Sequence, residues 1–235
     1  TARQLLAIST LAQKVRAVGD KLQVSDPEGG FAGAVQTVLA QVVNKQADYD
    51  TSLCSWHYHN REKVNHTFHR QALPIVWDFV EPVFFGEGAG SWAGLFKWTM
   101  QALENPFPLV SSATAELANA ASHPLPTDSA QAVITDPPYY DAVPYSDLSD
   151  FFYVWFKRSL PGRAEFASLL TPKGDECIVD EVKGKDRAYF ETTMQQAMAE
   201  GRRVLSRDGI GIVVFAHKST AGWEAQLQAM IDAGW

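Results

Sequence analysis

Apolar residues in the first part of the chain recur at close to 3.6-residue spacing. Leu5, Leu6, Ile8, Leu11, Val15 and Val18 predict one amphipathic helix, and Phe31, Val35, Val38, Leu39 and Val42 predict a second after the break SDPEGG at 25–30. Residues 64–85 form an aromatic-rich stretch. SWAGLFKWTMQAL, from Ser91, predicts a further amphipathic helix with Ser91 as its N-cap, ended by Asn105–Pro108.

The pattern changes in the second half, where β-rich apolar runs alternate with helical spacing. AQAVIT at 130–135 reads as a short strand, and IGIVVFAH at 210–217 as a strand buried on both faces, the pair suiting a parallel sheet. Between them Phe190, Met194, Ala197, Gly201, Val204 and Leu205 mark the inner face of a helix that SRDG at 206–209 terminates; Trp223, Leu227, Met230 and Ile231 mark another. The expected architecture is α/β, with a helical region over 1–108 and a partial parallel-sheet domain over 109–235. A β-α-β-α series that stops at Trp235, in a chain that starts at Thr1, reads as part of a longer polypeptide.

Size and composition narrow the class. With 235 residues, 46% hydrophobic and 20% charged, the chain suits one domain with an appendage and excludes disordered and collagen-like classes. It contains no apolar run long enough for a membrane span and no secretory leader pattern, which gives a cytoplasmic expectation. Two cysteines, Cys54 and Cys177, are too few for a disulfide framework. The net charge is −7, and residues 1–108 carry 9 basic and 10 acidic side chains against 11 and 17 in residues 109–235, so any nucleic-acid-binding basic surface must be local.

The strand at 130–135 runs directly into Asp136-Pro137-Pro138-Tyr139. By chance, DPPY is expected about once in a thousand chains of this length. A rigid turn that stops a strand is one reading. The other is methylation of an exocyclic amine, whose lone pair is delocalised into its ring. Two acceptors on its N–H bonds favour a pyramidal nitrogen with the lone pair aimed at an electrophile. Asp136 supplies one acceptor and the Pro137 carbonyl the other, while Tyr139 offers a stacking face for an extruded base. Positioning and polar preorganisation would carry most of the rate.

The stretch VITDPPYYDAVPYSDLSDFFYVWFKRSL resembles motif IV and its following helix in S-adenosylmethionine-dependent DNA amino-methyltransferases, most closely the DUF1156-type adenine-specific DNA methylases. Segments SLCSWH, TFHRQALPIVWDF, GSW, LTPK and EGRRVLSRDGIGIVVFAHKS extend the resemblance over most of the chain. It implies a Rossmann-like methyltransferase half-domain, S-adenosylmethionine as donor, DNA as partner and adenine N6 as acceptor, with cytosine N4 second. It also implies catalytic roles for Asp136, Pro137, Pro138 and Tyr139, base stacking by Tyr139, Tyr140 and Tyr145, and cofactor contacts from Ser112, Ala113 and Asp136. Ser112 and Ala113 stand where related enzymes carry an acidic residue. The family's glycine-rich cofactor loop is expected upstream of Thr1, on the remainder of the same polypeptide, and FFGEGAGS at 84–91 is a weak substitute that reads mainly as the lead into a helix. A non-catalytic nucleic-acid-binding subunit, or an N-methyltransferase acting on RNA or a protein amide, would keep the same motif.

Other clusters carry less. Arg61, Lys63 and Arg70, with His66, His69 and Phe68, form the densest basic run and a candidate phosphate contact, although a solvated helix face fits the run better. Cys54, His57, His59, His66 and His69 fit no standard zinc spacing. Asp136, Asp141, Asp147 and Asp150 could suggest a two-metal site, but Asp147 and Asp150 suit a helix start. No metal is expected.

Overall fold

A computed structural model describes residues 1–26, 28–57, 63–104 and 113–235. Asn105–Pro108, Ser112, Arg61 and His59 lie outside the described residues. The chain is mixed α/β and divides into two compact units, Thr1–Val110 with Tyr145–Pro172, and Ser111–Pro144 with Lys173–Trp235.

The first unit is mainly helical. Helix α1 (Ala2–Ser25) and α2 (Gly30–Tyr49) flank the glycine-rich break, as the periodicity predicts. Ile8, Ala12 and Val15 of α1 meet Ala40, Val43 and Ala47 of α2, with Trp155 and Phe156 packed against them. Leu5, Leu6 and Phe31, which the pattern also assigned to the inner faces, are exposed. A short antiparallel pair, β1 (Ser55–His57) with β2 (Lys63–Asn65), follows. Helix α3 (Trp92–Glu104) starts where Ser91 Oγ accepts from the Gly94 amide at 3.3 Å, the expected cap, and buries Leu95 beside Val42 and Tyr49.

The linear boundary near residue 108 needs correction. Helix α4 (Tyr145–Ser159), which follows the DPPY motif in sequence, packs on α1 and α2 and belongs to the helical unit. Its aromatic residues explain this: Phe151, Trp155 and Phe156 join the core around Ile8 and Val43, and Phe152 lies 4.9 Å from Phe68.

The second unit holds a two-stranded parallel sheet. Strand β3 (Ala130–Thr135) occupies the residues expected of it, and pairs with β4 (Leu205–Val213) in the register Ala132↔Ile210 to Thr135↔Val213. Helix α5 (Arg187–Val204), capped by Asp186, buries Phe190, Met194, Met198 and Val204, and packs on both strands. Burial of Phe190 and Met194 contributes about 1.5–3 kcal/mol each. Helix α6 (Thr220–Asp232) packs on α5.

Three expectations for this unit are corrected. β4 begins at Leu205 rather than Ile210, because Ala130 pairs with Leu205 and Ala132 with Ile210, so SRDG bulges within the strand instead of separating it from the helix. β4 is not buried on both faces: Ile210 and Ile212, on one face, are 65% and 47% exposed, and β3 is its one paired neighbour among the described residues. In α6 the small residues Gly222, Ala225 and Ala229 are buried, whereas Trp223, Leu227 and Ile231 face outward. Small side chains let α6 approach α5 closely, and that close contact decides which face turns inward.

Candidate active site

Asp136 follows the last residue of β3, so the parallel pairing of β3 with β4 delivers it to the carboxyl end of the sheet. The last cross-strand bond is Val214 N–H to Thr135 O at 2.8 Å. Beyond it, among the described residues, the two segments stay in contact through side chains only. Pro137 and Pro138 lack amides and cannot extend the ladder.

The turn closes on itself. Tyr139 Oη donates to Asp136 Oδ1 at 2.8 Å, the Tyr140 amide donates to Pro138 O at 3.2 Å and the Ala142 amide to Tyr139 O at 2.9 Å. Among the described residues no backbone amide donates to the Pro137 carbonyl. Asp136 is exposed, so its carboxylate keeps further acceptor capacity beside the tyrosine bond.

Aromatic residues from the other strand's exit complete this end of the unit. The Tyr139 ring lies edge-on to Phe215 at 5.5 Å, and Phe215 edge-on to Trp223 at 5.2 Å. Phe215 and Trp223 were missed by sequence reasoning; the pairing of β3 with β4 was the available signal, because it puts the residues after Val213 beside those after Thr135.

Tyr140 has a different place from the one expected of a stacking residue. Its ring packs edge-on against Phe190 at 5.1 Å and His217 at 5.6 Å, its carbonyl accepts from the Val179 amide at 3.0 Å, and its backbone is left-handed with φ 53°. Burial pushes its hydroxyl pKa up. Tyr145 opens α4 in the other unit.

A cavity of about 590 Å³ is lined by β3, by Asp136, Pro137 and Asp175, and by Met194, Met198 and Gly201 of α5. Thr135 borders it, and its hydroxyl is buried with no hydrogen-bond partner among the described residues. Cys177 also borders it; burial drives that thiol up to about 12, which keeps it protonated and unreactive. No protein-family model, curated protein or solved structure matches the chain. The size of the cavity suits a nucleoside-sized ligand. The carboxylates of Asp136 and Asp175 suit a cationic ligand, and S-adenosylmethionine carries such charge on its sulfonium and ammonium groups.

The remaining expected site residues scatter. Ala113 is exposed in an irregular segment. Lys63 and Arg70 are exposed in the helical unit. There His66 Nδ1 lies 2.8 Å from the buried Asp48 carboxylate, and the Cys54 thiol donates to the Tyr49 carbonyl at 3.1 Å, which gives both residues structural employment. In FFGEGAGS, Gly90 has φ 86° and an added Cβ would come within 2.9 Å of Tyr49, while the Gln46 side-chain amide donates to its carbonyl at 2.9 Å. The glycine is therefore required by packing on α2. Asp147 sits in the first turn of α4, and Asp150 Oδ1 accepts from the Thr171 amide and hydroxyl. Among the described residues no group of three His, Cys, Asp or Glu side chains is placed to hold a metal ion, and no helix is long and apolar enough to cross a membrane.

Proposed function

We propose that this protein transfers a methyl group from S-adenosylmethionine to the exocyclic amino group of a DNA base, adenine N6 first and cytosine N4 second, on a Rossmann-like methyltransferase sheet. The observation that carries this reading is the placement of Asp136 at the carboxyl end of a parallel strand, with Tyr139 and Phe215 beside it.

S-adenosylmethionine supplies, when bound, a methyl group on a sulfonium. The chain's own residues hold the acceptor. Asp136 and the Pro137 carbonyl accept the two N–H bonds of the amine, which releases the nitrogen lone pair from conjugation with the ring. Tyr139 and Phe215 provide aromatic faces for a base taken out of its stack. With the donor bound, the freed lone pair would face its methyl group, and one amine proton would leave through the hydrogen bond to Asp136 toward solvent. Asp136 and Asp175 are the groups that would hold the donor's polar parts.

Incubation of the intact polypeptide with S-adenosylmethionine and DNA, followed by mass spectrometry of the digested nucleosides, tests the reading. N6-methyladenine or N4-methylcytosine supports it. Methyl incorporation into RNA or a protein amide in place of DNA would reassign the acceptor, and no methylated product of any class would overturn it.

A further inference from the structure

His217 is the centre of a network that neither the motif nor the acceptor chemistry explains. Its Nε2 lies 2.9 Å from Asp141 Oδ1, and its Nδ1 accepts from the Ser219 amide at 3.1 Å, with Ser219 Oγ at 2.9 Å. An amide aimed at Nδ1 makes that nitrogen the acceptor and leaves the proton on Nε2, which donates to Asp141. The imidazole side chain is 8% exposed. The start of α6 is shaped around it: a Cβ at Gly222 would overlap the imidazole, and Trp223 Nε1 donates to the His217 carbonyl at 3.0 Å.

The positions of the two partners matter. Asp141 lies two residues after Tyr139, and His217 lies two residues after Phe215. The β3–β4 ladder ends at Val214 N–H to Thr135 O, so the facing rings of Tyr139 and Phe215 stand between that last backbone bond and the Asp141–His217 bond. The left-handed backbone of Tyr140 is strained for a residue with a side chain. Its ring lies against His217, so the imidazole holds that turn in place by contact as well as through Asp141.

We propose that His217, through Asp141, is a positioning residue for the acceptor site: it fixes the turn after Pro138 against the exit of β4 and so sets how the Tyr139 ring packs on Phe215. This rests on the methyl-transfer reading for its functional consequence, though the clamp itself does not. Leu and Gln fill similar volumes at position 217, but only Gln keeps an N–H donor for Asp141, so the pair separates hydrogen bonding from packing.

H217L is expected to lower kcat for methyl transfer about tenfold, with the KM for S-adenosylmethionine changed less than about twofold, and H217Q to recover most of the loss. Hydrogen exchange at the Tyr140 and Ala142 amides should accelerate in H217L and not in H217Q. Equal kcat values in the two variants of an active protein would overturn the clamp and leave the methyl-transfer reading standing. A wild-type protein that modifies no acceptor, yet shows the exchange difference, would overturn the reading and leave the clamp. Equal exchange in the two variants of an inactive protein would overturn both.

Discussion

The hydroxyl of Tyr139 donates to Asp136 Oδ1 across 2.8 Å, spanning the two prolines between them. The bond makes the DPPY turn a closed unit. It fixes the carboxylate at the end of β3 and turns the tyrosine ring toward Phe215, so the acceptor and the stacking face are set by the same contact.

The two parts of Tyr139 should separate on mutation. Y139A removes the aromatic face and is expected to weaken acceptor binding by about 1–3 kcal/mol, the usual worth of stacking one base. Y139F keeps the face and loses only the bond to Asp136, so its binding should stay close to wild type while kcat falls. Fluorescence titration with a 2-aminopurine oligonucleotide, together with steady-state kinetics, reads both. Wild-type binding by Y139A would remove the ring from the account.

Asp50 makes the helical unit pH-sensitive. It is buried at the end of α2, and burial, with help from Glu81, raises its carboxyl to about 6. A folded-state value above the unfolded one means its stabilising contribution is complete below about pH 4 and is lost as pH rises through about 6. D50N removes the ionised group and is expected to raise stability by about 1–2 kcal/mol at pH 7.5, with the gain vanishing near pH 4. Urea denaturation at the two pH values checks this, and a D50N protein that is weaker at pH 7.5 would contradict it.

Gly222 admits the His217 ring. G222A forces the imidazole or the start of α6 to shift, at an expected cost of about 1–3 kcal/mol. The urea midpoint of the variant measures it, and an unchanged midpoint would show that the ring moves freely.

What the sequence made legible follows from range. β3, the capped start of α3 and the buried face of α5 were readable because local spacing and capping determine them. The inner face of α6 was not, because close approach to α5 selects Ala225 and Ala229 over the larger Trp223 and Leu227. The extent of β4 was missed because register with β3 absorbs SRDG as a bulge. The same limit applies at the site: Asp136 to Tyr139 form one contiguous motif, whereas Phe215, Trp223 and His217 reach it only through strand pairing. Tyr140 and Tyr145 resembled stacking residues in sequence, but one is packed on Phe190 and the other opens α4.

The central claim is that the Asp136 carboxylate accepts the amine of the base. The most direct measurement is tritium transfer from S-adenosylmethionine to DNA by wild-type and D136A proteins, with circular dichroism confirming that both are folded. Asp136 is exposed at a strand end, so its removal should leave the fold intact and abolish transfer. Incorporation by folded D136A at the wild-type rate would contradict the account.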